Sequence, residues 1–285
     1  MKPFALLSMD VEDWHHAAYF EGRVPPPGAP AMLDGVERFV DVLAEEGVRA
    51  TFFMLGKVAE SRPALVKTLA AAGHEIASHG PDHSLPARHS TAQFVKELRE
   101  HKDRLEQLLG APVSGYRAPC FALDVEKLGL LSSLGFSYDS SWIRFGVHPL
   151  YGSMDLSGWD ELFPGVRRDP VSRLVEFEVP TVTTPAGRLP VAGGAYFRFF
   201  PWALTRSLLR RPLAAGGAYV FYIHPFECSA MPEPPYPQGT GLATRLRFQV
   251  GRRHTLPRLR RLIAQLRAAG YVFTTCSGAA RALAG

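Results

Sequence analysis

Residues 4–14 read FALLSMDVEDW. An apolar run from Phe4 to Met9 breaks into three acids within four positions, Asp10, Glu12 and Asp13. A short continuous apolar run is the pattern of a strand covered on both faces, as in a parallel sheet. Carboxylates released at its C-terminal end put polar chemistry on one rim of that sheet, where β/α folds keep their active sites. The next segments keep the same alternation. Leu33–Glu46 carries Val36, Phe39, Val40 and Leu43 at helical spacing and stops at Gly47. Arg49–Leu55 is a second apolar strand, Pro63–Ala72 a helix with proline in its first turn, and His74–Ser78 a third strand.

Ser90 caps a helix that runs to about Leu109 and ends at Gly110. Val113–Arg117 reads as a fourth strand, Asp124–Leu134 as a helix and Phe136–Asp139 as a fifth strand. Trp142–Arg173 shows no clear period. Leu174–Thr183 and Tyr219–His224 read as further strands, and the helix Thr255–Ala269 leads into a last strand at Tyr271–Thr275. About seven strands in β/α register predict an α/β fold built as a barrel or incomplete barrel. No internal repeat and no low-complexity linker divides the chain, so residues 1–285 are expected to form a single domain. Residues 228–241 are a proline-rich surface loop.

The 285 residues are 46% hydrophobic and 21% charged, which excludes a disordered chain, a collagen-like repeat and a disulfide scaffold. Cys120, Cys228 and Cys276 are far apart, so a structural zinc knuckle is excluded and a reducing compartment expected. The first apolar run is too short for a signal peptide, and no stretch of about 18 apolar residues occurs. The expected location is therefore cytoplasmic, with peripheral attachment to a membrane as a variant. The net charge of +5 is unevenly spread. Residues 234–285 hold nine arginines and no acid, leaving residues 1–233 near −4 by difference. This basic tail is either a solvated helix face or a device that steers a phosphate-bearing, otherwise anionic or lipid-linked substrate. Without an aromatic-interleaved basic motif, no nucleic-acid partner is expected.

Four strand ends carry chemistry: Asp10–Asp13, His79–His83, Arg117–Pro119 and His224–Glu227. His79 and His83 are separated by Gly80-Pro81, which forbids a regular helix, so they must converge from a loop. Two imidazoles and one carboxylate from a neighbouring strand make a three-ligand metal site with positions left open for water and substrate.

The ordered motifs SMDVEDW (8–14), SHGPDH (78–83), YRAP (116–119), YDSSW (138–142) and YIH (222–224) resemble those of the polysaccharide deacetylase family, the NodB-like carbohydrate esterases. DVEDW, the segment LPVAGGAYFRFFPWALTR (189–206) and HPFE (224–227) resemble most its exopolysaccharide-locus, exosortase-associated branch. The resemblance implies a distorted, incomplete (β/α)7 barrel of the NodB-homology type, with residues 145–285 including a family-specific C-terminal segment. It implies hydrolysis of N-acetyl groups on an amino sugar, in a polysaccharide or its lipid-linked precursor. One divalent metal is implied, zinc first, with cobalt, nickel or manganese as alternatives.

Residue by residue, Asp10 matches the family's general base and His224 its general acid. Arg117 matches the arginine that holds the base, and Asp139 the acid that orients the catalytic histidine. His79 and His83 match the metal-binding histidines. The family's usual pair of adjacent aspartates is interrupted here, so the metal carboxylate is Glu12 or, as the alternative, Asp13. Glu12 is favoured because side chains of a strand alternate with period two and Glu12 shares a face with Asp10. Cys120 stands where the family often has a tyrosine whose backbone N–H stabilises the oxyanion. Trp14, Tyr196 and Arg198 are candidate sugar contacts, each weighed against plain packing. Glu227 either braces the His224 loop or is solvated. Two rival readings are a cyclic-amide hydrolase resembling allantoinase and a non-catalytic glycan-binding module.

Overall fold

The strand that opens the chain runs to the acids themselves: β1 spans Phe4–Val11 and is buried throughout. Its alternation already sorts the chemistry. Ala5, Leu7, Met9 and Val11 pack with the core under the surrounding helices. Phe4 and Leu6 point the other way, into the inner cluster with Phe53, Tyr138, Phe177 and Val220. By period two, Ser8 and Asp10 continue that inner face.

The computed structural model describes residues 2–284 except 147, 149 and 186. The further strands are β2 (Thr51–Met54), β3 (Glu75–Ser78), β4 (Gly115–Tyr116), β5 (Tyr138–Asp139), β6 (Asp160–Phe163), β7 (Val166–Arg168), β8 (Val175–Phe177), β9 (Thr181–Thr184), β10 (Gly187–Pro190), β11 (Ala218–Ile223) and β12 (Val272–Phe273). The main sheet has the order β11-β1-β2-β3-β4-β5-β8-β7-β6, with β12 also pairing β1. From β11 to β8 all neighbours are parallel, which makes seven parallel strands; β7 and β6 then add an antiparallel edge. The sheet curls so far that Ala218 N, at the start of β11, donates to Pro164 O in the β6–β7 turn. This is the incomplete barrel that the strand count predicts.

Three segments depart from the sequence reading. Leu174–Thr183, expected as one strand, divides at Pro180: β8 stays in the main sheet, while β9 pairs with β10 in a separate hairpin. Proline cannot donate to a ladder, and Val191 N bonds to its carbonyl instead. The expected loose stretch Trp142–Arg173 contains the β6–β7 hairpin. The helix Trp202–Ala215, which holds Pro212 inside it, has no counterpart in the sequence reading.

Helix Asp34–Glu45 sets the position of the loop after β11. The carboxylate of Asp34 accepts from Ser229 Oγ at 2.6 Å and Ala230 N at 2.8 Å. Gly35 lies against Pro225, where a Cβ would come within 1.8 Å of the carbonyl oxygen. Gly35→Ala is therefore expected to destabilise the fold by roughly 1–3 kcal/mol through overpacking. It should also displace the short helix Pro225–Cys228 that follows His224. A melting temperature equal to that of the unsubstituted chain would show that the contact yields freely.

Candidate active site

Alternation along the parallel strands brings distant residues to one rim. Ala77 is inner on β3, so His79 is inner two residues later. Val220 and Tyr222 are inner on β11, and His224 follows in the same phase. Asp10, Glu12, His79, His83, Cys120 and His224 line a single cavity of about 110 Å³. That is well below the roughly 300 Å³ of a pocket that encloses a drug-sized ligand, so it suits one substituent and the adjoining ring edge of a larger molecule.

Arg117 is completely buried, and every arm of its guanidinium is occupied. Nη1 donates to Asp10 Oδ1 at 2.7 Å and Ser8 Oγ at 2.8 Å, Nε to Ser140 O at 3.0 Å and Nη2 to Ser140 Oγ at 2.9 Å. The guanidinium also lies over the Phe53 ring, 4.0 Å from its centroid. Asp10 is thus clamped in one orientation by a charge-assisted bond.

Glu12, His79 and His83 offer ligand atoms that lie within 4.8 Å of one another. His79 Nδ1 faces the carbonyl of Arg117 at 2.8 Å and donates to it, which leaves Nε2 unprotonated and turned toward Glu12. This is the outer bond that orients a metal-binding imidazole. His83 Nε2 stands 2.7 Å from Glu12 Oε2, yet that oxygen is buried without a properly directed hydrogen bond. With His79 Nε2 close to both, these ligand atoms make a set that one cation can bridge. The residues fit a divalent cation. Burial would raise the Glu12 carboxyl, but the charges of His83, His224 and His79 hold it down at about 2.

Asp13 does not join this group. Its Oδ1 accepts from Trp14 N and Met32 N, both at 2.8 Å, and caps the turn Trp14–His16. Between the two carboxylates that the sequence left open, only Glu12 is placed to bind metal.

Asp139 corrects a second expectation. Tyr138 is inner, so Asp139 points to the other face of the sheet, beside Glu176 on β8. It accepts from Ser141 N and Ser141 Oγ, not from His224. Burial pushes both the Asp139 and Glu176 carboxyls up. The YDSSW stretch instead serves Arg117, through Ser140, and Ala118 N, through Ser141 Oγ at 2.9 Å.

His224 is held by Glu227. Oε2 of Glu227 accepts from His224 N at 3.0 Å and lies 2.9 Å from His224 Nδ1. Its other oxygen accepts from Arg198 Nε at 2.5 Å. Of the two readings open for Glu227, the brace is the one found; the residue is 1% exposed. Burial would depress the His224 imidazole, but the hydrogen bond and charge of Glu227, followed by Glu12 and Asp10, raise it to about 9. His224 Nε2 is left facing the cavity, 3.8 Å from Glu12 Oε1.

The expected sugar contacts divide. Tyr196 lines the cavity. Arg198 reaches its wall, but the guanidinium is spent on Glu227, Val250 O and Arg247 O, so it is a brace and not a free sugar contact. Trp14 is 1% exposed, bonds Pro30 O through Nε1, and packs on Phe20 and Tyr236 away from the cavity. Cys120 sits in the left-handed region at φ 52°, followed by Phe121 at 53°, a strained pair of the kind that clusters at functional sites. The Cys120 N–H has no acceptor among the described residues. Burial and the charges of Glu12 and Asp10 push its thiol far up, which removes it as a nucleophile. Sequence reading missed Tyr19, His148, Tyr151, Arg247 and Phe248 in the cavity wall. They come from loops and a short helix without a period to mark them.

Residues 29–138 match the family model described as "Polysaccharide deacetylase", and residues 140–277 match "Domain of unknown function (DUF3473)". Among curated proteins, a chitooligosaccharide deacetylase of Rhizobium leguminosarum bv. trifolii is 32% identical over 129 residues, 45% of this chain and 54% of that protein. A peptidoglycan deacetylase of Helicobacter pylori is 28% identical over 117 residues, 41% of this chain and 40% of that protein. The chain thus spans about half the length of these relatives, or less. A crystal structure of a provisionally assigned polysaccharide deacetylase from Mycobacterium smegmatis superposes with a TM-score of 0.62 at 24% identity, over 99% of this chain and 91% of that one. The fold is shared with that protein. Among the described residues no helix is long and apolar enough to cross a membrane.

Proposed function

We propose that this chain, whose residues 29–138 match the polysaccharide deacetylase model, hydrolyses the N-acetyl group of an acetylated amino sugar to acetate and a free amine. The observation that carries the proposal is the convergence in one cavity of a clamped carboxylate, a two-histidine, one-carboxylate cluster and a separate, braced histidine. β1 lies between β2 and β11, so neither matched segment holds the whole sheet, which supports reading residues 1–285 as one domain. The forms DVEDW and HPFE support a polysaccharide of the exopolysaccharide class or its lipid-linked precursor.

The roles follow from the geometry. A divalent cation held by Glu12, His79 and His83, zinc foremost, would lower the pKa of bound water and polarise the acetyl carbonyl. Asp10, fixed by Arg117, takes the proton of the attacking water. The Cys120 N–H donates to the oxygen on which charge develops. His224, kept cationic by Glu227, returns a proton to the nitrogen as the carbon–nitrogen bond breaks. Asp10, clamped by Arg117, and His224, braced by Glu227, thus divide base from acid.

Acetate release over a panel of acetylated oligosaccharides, after metal reconstitution, tests the reaction. Elemental analysis tests the cation: His79→Ala/His83→Ala should lose it while the circular dichroism spectrum stays native. A double variant with full metal content would remove this site from consideration.

A further inference from the structure

The nine arginines of residues 234–285 are mostly engaged. Arg252 donates to the carbonyls of Phe226, Ser229, Met231 and Pro232, and Arg258 to those of Phe197 and Arg198. Arg260 and Arg267 pair with Glu45 and Glu46. Arg245 bonds Thr240 O, and Arg253 bonds His254. The tail, offered above as a steering device, is therefore largely a set of straps on backbone carbonyls and acids, Arg252 among them. Among the described residues, Arg247, Arg261 and Arg281 have no carboxylate within 4 Å and no side-chain hydrogen bond.

Only Arg247 of these three lines the catalytic cavity. Its guanidinium lies over Tyr19, 4.8 Å from the ring centroid. Its carbonyl accepts from Arg198 Nη2 at 2.9 Å, which fixes its helix to the Arg198–Glu227–His224 brace. No carboxylate of the cavity wall is left for Arg247: Asp10 pairs with Arg117, Glu12 belongs to the group with His79 and His83, and Glu227 has Arg198 and His224. A half-buried guanidinium in an aromatic wall, with no counter-charge of its own, lacks the anion that its planar fork is built to hold.

We infer that Arg247 forms an anion subsite beside the reacting group, and that the acetamido sugar bound there bears an anionic oxygen group, a carboxylate or a phosphate. The inference rests on the deacetylase reading and adds the substrate's charge to it.

Isothermal titration of the metal-reconstituted full chain with N-acetylglucosamine, N-acetylglucosamine 1-phosphate and N-acetylmuramic acid tests it. At least one anionic sugar should bind about 10- to 100-fold more tightly than the neutral one, the range of a charge-assisted bond. Preference for the phosphate or for the carboxylate identifies the source of the anion. Arg247→Gln should abolish the difference, and Arg247→Lys should keep part of it, since charge remains when the fork is lost. Equal binding of all three sugars, or a preference that survives Arg247→Gln, overturns the subsite. So does an identical effect of Lys and Gln. An Arg247-dependent preference without acetate release from any substrate would leave the subsite standing and overturn the reaction instead. Acetate release with no charge preference would do the reverse.

Discussion

His224→Ala is expected to keep its metal and to lose about 10²–10⁴-fold in the rate of amide hydrolysis, the usual worth of a positioned acid. Its Nδ1 is engaged by Glu227, and its Nε2 is 3.8 Å from a Glu12 oxygen, outside the group of three ligand atoms. Removing it takes a proton from the leaving nitrogen and leaves Glu12, His79 and His83 in place. Single-turnover rates beside elemental analysis of the same preparation separate the two roles. If metal disappears with the imidazole, His224 is a ligand and the division of labour proposed above fails. A stability effect accompanies the kinetic one. Held at about 9 against an ordinary value of 6.5, His224 contributes stability that is complete below pH 6.5 and lost as pH rises through 9.

Glu227→Gln is expected to act on both rate and stability. The amide keeps the shape but not the charge, so the imidazolium loses its nearest counter-ion and Arg198, still bonded to the carbonyls of Val250 and Arg247, becomes a buried cation without a counter-charge. Breaking a buried pair from one side costs about 3–5 kcal/mol. Exchanging the carboxylate that orients a catalytic histidine for an amide has cost as much as about 10⁴-fold in serine proteases, which sets the upper end here. The two effects separate in a cycle. Arg198→Met/Glu227→Gln should recover most of the lost melting temperature and none of the lost rate. The pH profile gives a signature that a purely structural role would not produce. With less negative charge beside it, His224 deprotonates at lower pH, and the alkaline limb of kcat/KM moves down. A limb that stays in place would make Glu227 a packing residue.

Much of this was legible in the chain. Phe4–Met9 followed by acids, and His79 and His83 separated by Gly-Pro, read directly as strand end and converging loop. Alternation with period two also placed Glu12 on the face of Asp10. The same rule, applied to Tyr138, would have turned Asp139 away from His224; the family resemblance carried it there instead. Trp14 beside three acids resembled a sugar platform, but its ring is sealed by Phe20 and Tyr236, residues 6 and 222 positions away. Composition counted nine arginines without showing that Arg252 is bound by four carbonyls while Arg247 faces the cavity.

The difference between these cases is physical. Periodicity and backbone chemistry act over a few residues, so the sequence by itself determined the parallel strands, the rim on which they end, and the histidine and acid that the rim presents. The partner of a long polar side chain is selected by packing between segments far apart in the chain. That Glu227 takes Arg198 as well as its near neighbour His224, and that Arg247 takes no anion of its own, was decided only when the fold brought residues 198, 227 and 247 together. Burial then made each of those pairings matter, because a charge removed from water must find its counter-charge in the protein or in the ligand.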